Sequence, residues 1–231
     1  MTAATLPVSE IFGPTWQGEG PSAGNLAAFV RLGHCNLSCT WCDTAYAWDI
    51  HRYDLNAELT TMTIDAIAAR LTEIPAGLVV LTGGEPLLHR TALADLAAVC
   101  QRAGQRLEIE TNGTILPTRP LQAAIDRFNV SPKLAHSGMP MDRRIRPDVL
   151  NALRDSGKAV FKFVVESLAD LTEVADLEQA YNLAPIWIMP RGETSADVLC
   201  RMRALADAVL AHGWHLSSRL HVLLWEASRG R

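Results

Sequence analysis

HCNLSCTWCDT, His34 to Thr44, is the stretch on which the reading of the whole chain turns. It places Cys35, Cys39 and Cys42 in a C-x3-C-x2-C pattern, directly after an apolar run, Leu26 to Leu32, that predicts a strand ending in a loop. Thiolates so closely spaced can all face one soft metal centre, and cysteine sulfur selects iron-sulfur clusters, zinc or copper over harder ions. A cube of four irons takes four ligands, and the motif supplies three, which leaves one iron open to a group that is not protein. Zinc would call for a fourth Cys or His at a ligand-like position, and His34 is too near Cys35 to chelate easily beside it. A disulfide framework fits less well still: the five cysteines are an odd number, three of them are crowded together, and no secretory signal precedes them.

Outward from that loop, strand-like and helix-like segments alternate. Residues 63–73 carry apolar positions at helical spacing, and 77–86, GLVVLTGGEP, predicts a buried strand running into a glycine loop. Helices are expected over 91–102, 119–127, 147–155, 168–181 and 195–212. Strands are expected over 106–110, 128–130, 159–165 and near 185–190, with a last one near 220–224. Such alternation implies right-handed crossovers and a mainly parallel sheet, and about six units are too few to close an eight-strand barrel. The expected architecture is an α/β fold with a curved, partial (β/α)6 barrel. Chemistry then belongs in the loops at the strand C-terminal ends, where HCNLSCTWCDT, TGGEP, ETNG, SPK and MPRGE sit.

Composition narrows the function. The chain has 231 residues, 48% of them hydrophobic, which is enough for a sizeable core, and no linker, repeat or low-complexity tract divides it, so residues 1–231 read as one domain. A net charge of -4 without any lysine/arginine block argues against a nucleic-acid surface. No run approaches the roughly 20 apolar residues of a membrane span, and MTAATLPVSEIF is not a signal peptide, so a cytoplasmic protein with reduced thiols is expected. The segment 9–25, SEIFGPTWQGEGPSAGN, predicts a loop by its glycines and prolines, with Gln17 and Glu19 able to hydrogen-bond a polar heterocycle. Arg31, at the end of the strand before the cysteines, offers a planar fork of donors to a carboxylate or phosphate. In Thr82-Gly83-Gly84-Glu85-Pro86, two glycines let backbone approach a ligand, and Glu85 with nearby carbonyls can hold an ammonium group.

Together the cysteine loop and GGEP resemble radical S-adenosylmethionine (SAM) enzymes. More narrowly, EIFGPTWQGEG, FVRLGHCNLSCTWCDTAYAWD, LTGGEPLL, ETNGT, SPK and RLHVLLW resemble the 7-carboxy-7-deazaguanine synthase family across nearly the whole chain. The resemblance implies a 4Fe-4S cluster on Cys35, Cys39 and Cys42, with SAM on its open iron along Trp41, Asp43, Gly83, Gly84, Glu85, Ser131, Pro132 and Lys133. It implies a pterin substrate held by Trp16, Gln17, Gly18, Glu19, Arg31 and Thr82, and a magnesium ion on Thr44 that also binds the substrate carboxylate. The implied reaction, in queuosine and other 7-deazapurine pathways, is that of a lyase. A 5'-deoxyadenosyl radical takes hydrogen from C6 of 6-carboxy-5,6,7,8-tetrahydropterin, which becomes 7-carboxy-7-deazaguanine with loss of ammonia. A flavodoxin or ferredoxin as electron donor, and a homodimer, are expected on the same ground. His34 departs from the family, which usually has glycine before the first cysteine.

Two other classes of function compete with this reading. An enzyme activating a glycyl-radical partner would share the cluster and SAM but leave QGEG and Arg31 less well explained. An electron carrier would complete its cysteine set and would not need GGEP. The remaining features read as structural. Cys100 and Cys200 look like small buried hydrophobes, the other histidines lack ligand spacing, and Arg143, Arg144 and Arg146 look like a solvated face.

Overall fold

The computed structural model describes residues 4–226 and 228–231. Its first element, β1 (Thr5–Trp16), lies where the glycines and prolines predict a loop. It pairs antiparallel with β2 (Leu26–Leu32), from Val8 opposite Leu32 to Trp16 opposite Leu26. A register shift between Phe12 and Thr15 absorbs Gly13 and Pro14, so the two strand-breaking residues bulge without ending the strand.

After β2 come a short helix α1 (Leu55–Glu58), strand β3 (Thr60–Thr63) and helix α2 (Ile64–Thr72), then β4 (Leu78–Gly83) and α3 (Arg90–Arg102). β5 (Arg106–Thr111) is followed by α4 (Arg119–Ala124), and β6 (Arg127–Val130) by α5 (Met141–Arg144) and α6 (Pro147–Asp155). β7 (Ala159–Val165) and α7 (Asp170–Tyr181) lead to β8 (Ile186–Pro190), α8 (Ser195–Ala211), β9 (His215–Leu216) and α9 (Leu220–Trp225). The strands form one nine-stranded sheet in the order β3-β1-β2-β4-β5-β6-β7-β8-β9, parallel from β2 to β9 and open at both ends. Six strand-then-helix units, β2/α2, β4/α3, β5/α4, β6/α6, β7/α7 and β8/α8, make the partial (β/α)6 barrel expected. The last expected strand is instead α9. Its apolar run HVLLW buries only Val222 fully, its first turn is tied by Leu220 N-H to the Gly18 carbonyl at 2.9 Å, and β9 fills the sheet edge.

The sheet divides its side chains by parity. Leu107, Ile109, Phe128, Phe161, Phe163 and Ile188 point to the helix side and join the main core. Glu108, Glu110, Asn129 and Lys162 alternate with them and therefore face the other way, toward the loops. Helix starts follow their caps: Thr63 Oγ1 accepts from Ala66 N-H at 3.2 Å, and Thr194 Oγ1 from Asp197 N-H at 3.1 Å. The end of α4 is closed by Lys158, whose Nζ donates to the carbonyls of Gln122, Ala123 and Ile125 at 3.0, 3.1 and 2.7 Å. Lys158→Met removes all three and should lower the unfolding free energy by about 1–3 kcal/mol in a urea titration.

Candidate active site

The cysteine loop is pinned on three sides. Thr40 N-H donates to Ser137 O at 3.1 Å, Asn36 Nδ2 to Thr114 Oγ1 at 2.8 Å, and Asn112 Nδ2 to Asn36 Oδ1 at 2.9 Å. Its entry is fixed by His34, whose N-H reaches Ala47 O at 2.8 Å and whose carbonyl accepts from Glu85 N-H at 2.9 Å. His34 does this at φ 70°, in the left-handed region, which explains physically why glycine suits this position. The carbonyl of His34 also lies where a Cβ at Gly84 would be, so the cysteine and glycine loops interlock and only glycine fits.

Cys35, Cys39 and Cys42 are free and line one cavity of about 300 Å3. Burial, the Glu85 carboxylate and the neighbouring thiols push the Cys35 thiol up to about 12, and burial also raises that of Cys39. Cys42 Sγ accepts from Trp48 Nε1 at 3.2 Å. Among the described residues no group of three His, Cys, Asp or Glu could hold a single metal ion. The three thiols instead offer an all-sulfur donor set of the kind that a multi-iron cluster requires, and that set fits such a cluster.

The opposite wall is charged. Lys162, on β7 and 2% exposed, donates to Glu19 Oε2 at 2.5 Å and Glu110 Oε2 at 2.7 Å. Gln17 Nε2 and Asn129 Nδ2 donate to Glu110 Oε1 at 3.1 and 3.3 Å. Arg219 reaches Glu19 Oε1 at 3.3 Å and Asp43 Oδ2 at 2.5 Å. Burial works to raise the pKa of Glu19, but the Lys162 ammonium and Arg219 guanidinium hold it well below its ordinary 4.5. Burial pushes Glu110 the other way. Arg31, at the end of β2, is aimed by Glu10, whose Oε2 accepts from its Nε at 2.9 Å.

Of the residues singled out in the sequence, Trp16, Gln17, Gly18, Glu19, Arg31, Trp41, Asp43, Thr44, Thr82, Gly83, Gly84, Ser131 and Lys133 line this cavity with the three cysteines. Glu85 and Pro132 do not. Glu85 is fully buried, and its carboxylate is spent on Leu87 N-H, Thr111 Oγ1 and Asn112 N-H at 3.0, 2.8 and 2.7 Å. Its side chain thus ties the glycine loop to ETNG. Lys133 Nζ donates to Ser131 Oγ at 3.0 Å. Arg144 is not on a solvated face: it is 6% exposed, pairs with Glu173 at 2.6 Å and donates to Lys133 O at 2.8 Å, holding the SPK loop. Cys100 is buried as expected, whereas Cys200 is exposed.

Sequence reading missed Glu110, Lys162, Arg219 and His221, all in the lining. A lone lysine in the apolar strand AVFKFVV was the available signal for Lys162, since a charge there must be paired.

Similarity to known proteins agrees with this geometry. The radical SAM superfamily description matches residues 30–175. The 7-carboxy-7-deazaguanine synthase of Pyrobaculum aerophilum is 36% identical over 97% of this chain and 96% of its own, and that of Halobacterium salinarum is 35% identical over 95% and 90%. The chain belongs to the radical SAM superfamily. Within it, the identity and coverage place the chain in the 7-carboxy-7-deazaguanine synthase family. The crystal structure of QueE from Escherichia coli superposes with a TM-score of 0.73 at 25% identity, over 94% of this chain and 95% of that one. Radical SAM membership implies the 4Fe-4S cluster and SAM, and the relatives do not favour the glycyl-radical-activating alternative.

Two predictions follow from the site's backbone and charge. His34→Gly relieves a left-handed backbone costing roughly 1–2 kcal/mol and gives back about 0.5–1 kcal/mol in unfolded-chain entropy, so chemical denaturation should show a net gain of about 1 kcal/mol. The low pKa of Glu19 stabilises the fold above its ordinary value of 4.5, and that stability is lost as pH falls through the folded value. Unfolding free energy measured from pH 6 downward should decline below about 4.5, and more shallowly in Glu19→Gln.

Proposed function

We propose that this chain converts 6-carboxy-5,6,7,8-tetrahydropterin to 7-carboxy-7-deazaguanine with release of ammonia. The observation that carries the reading is a single cavity lined both by the three free thiols and by the Trp16–Glu19 segment with Arg31, in a chain of this family. Cys35, Cys39 and Cys42 hold a 4Fe-4S cluster, and Trp41, Asp43, Gly83, Gly84, Ser131 and Lys133 hold SAM, with Glu85 and Pro132 shaping that side from behind the lining. When bound there, SAM supplies a carbon-centred radical able to take hydrogen from an unactivated C-H bond.

The chain's own share is binding, orientation and exclusion of water. The Arg31 fork, aimed by Glu10, receives the substrate carboxylate, and the side chain of Gln17, the backbone of Gly18 and Thr82 meet the polar edges of the pterin. Trp16 covers the ring, while Glu19 sets the position of the segment through its ion pairs. Phe12, Phe29, Val164 and Met189 give the cavity an apolar part that helps exclude water. Thr44 would hold a magnesium ion, which would supply positive charge to help orient a carboxylate substrate. The chain acts as one domain in the reducing cytoplasm, in keeping with five free cysteines, as a homodimer supplied by a flavodoxin or ferredoxin.

The test is an anaerobic assay of the iron-reconstituted, reduced protein with SAM, carboxytetrahydropterin and magnesium, following the deazaguanine by mass. Wild type should form it and Cys39→Ala should not. Thr44→Ala should lose at least about tenfold in turnover with iron content unchanged, the loss expected when an orienting contact is removed. SAM cleavage without deazaguanine would overturn the substrate assignment, and equal loss of iron and turnover in Thr44→Ala would overturn the magnesium assignment.

A further inference from the structure

Arg219 occupies an unusual position between loops that are distant in sequence. It is 8% exposed and immediately precedes α9. Its guanidinium donates in three directions: Nε to Glu19 Oε1 at 3.3 Å, Nη2 to Asp43 Oδ2 at 2.5 Å, and Nη1 to the Gly192 carbonyl at 2.6 Å. Glu19 belongs to the segment that faces substrate, Asp43 stands between Cys42 and Thr44, and Gly192 follows β8. The backbone is fixed to the first of these segments, because Leu220 N-H donates to Gly18 O at 2.9 Å. The His221 ring also fills the space a side chain at Gly18 would need. The second attachment is thin. Asp43 has a half-exposed side chain, and among the described residues its sole hydrogen bond is to Arg219.

We infer that Arg219 is a positioning residue that couples the substrate-facing segment 16–20 to the arm of the cysteine loop at Asp43, so that filling the substrate site orders Cys42–Thr44. The inference rests on the substrate proposed above. A planar fork suits this work: it can hold two carboxylates at fixed mutual orientation, whereas an ammonium can satisfy both charges without fixing the angle between them. Movement of Glu19 is then transmitted to Asp43 through one rigid group, with no continuous packing needed between the loops. The coupling has a chemical purpose. Converting carboxytetrahydropterin to deazaguanine removes only the elements of ammonia, with no net gain or loss of electrons. Hydrogen taken from C6 must therefore be returned. Free 5'-deoxyadenosine marks the unproductive path, in which one electron from the reductant cleaves SAM and, with the substrate misplaced, a second electron from dithionite and a proton from water supply the hydrogen that C6 did not.

Two readouts test this, one of them independent of turnover. Hydrogen exchange on the cluster-loaded, SAM-free protein with carboxytetrahydropterin should show protection in both 16–20 and 39–48 for wild type. In Arg219→Gln and in Asp43→Asn the protection in 16–20 should persist, and that in 39–48 should fall about tenfold, within the usual range of coupling between sites. With SAM and dithionite, the ratio of 5'-deoxyadenosine to deazaguanine should rise about tenfold in Arg219→Gln, with partial restoration in Arg219→Lys. Because Asp43 is half exposed, Asp43→Asn keeps the test open if Arg219→Gln fails to fold. Wild-type protection of 39–48 in both variants, or an unchanged ratio, overturns the coupling while leaving the substrate assignment intact. Absence of protection in 16–20 and of deazaguanine in wild type overturns both.

Discussion

The interaction on which the site depends is the ammonium of Lys162 buried between the carboxylates of Glu19 and Glu110. Lys162 lies at the floor of the cavity with almost no contact to bulk water, and a charge so buried is tolerable only if it is paired and hydrogen-bonded. Lys162 meets that condition by drawing two partners from different places. Glu110 comes from β5 two strands away, and Glu19 from a segment with little regular structure of its own. The pairing therefore does more than neutralise charge: it fastens the glycine-rich 17–20 turn onto the sheet and so defines one wall of the cavity. Burial pushes Glu110 up while Lys162 and Arg219 hold Glu19 down, so the two acids that share one lysine differ in how firmly they hold a proton.

The other wall depends on backbone instead of charge. The cysteine loop begins with a left-handed residue and lies against a glycine pair that has no room for a Cβ, so its path is set by main-chain hydrogen bonds to Ala47 and Glu85. Glu85 also serves this wall, by accepting from Leu87, Thr111 and Asn112. Three donors around a fully buried carboxylate fix its position and the path of the glycine loop that carries it.

The fold was legible because buried parallel strands and amphipathic helices leave different periodicities, and β4 to α8 follow them closely. The errors fall where local signals compete with the sheet. Gly13 and Pro14 suggested a loop and are accommodated as a bulge, while HVLLW suggested a strand and coils as α9 because the edge was already taken. At the site, the residues with motif chemistry were legible, and the framework around them was not. Lys162, Glu110 and Arg219 are single charges in ordinary-looking segments, and only the three-dimensional register shows that they meet. Arg144 makes the same point: next to Arg143 and Arg146 it reads as surface, yet it turns inward to hold Lys133 O and Glu173.

The nine-stranded sheet ends in β3, four residues long, on one side and β9, two residues long, on the other. A parallel sheet this wide would ordinarily present long open edges to other molecules, with rows of unpaired amides inviting strand addition and aggregation. β3 covers only Thr5 to Val8 of β1, so the stretch from residue 9 to Trp16 pairs on one side alone, with β2, and the register shift at Gly13 and Pro14 falls within that open stretch. A bulge there breaks the regular row of amides that strand addition would need. Straightening it, by replacing Gly13 and Pro14 with residues that favour an extended strand, would offer a longer edge, and the first sign of damage would be insolubility before any change in chemistry.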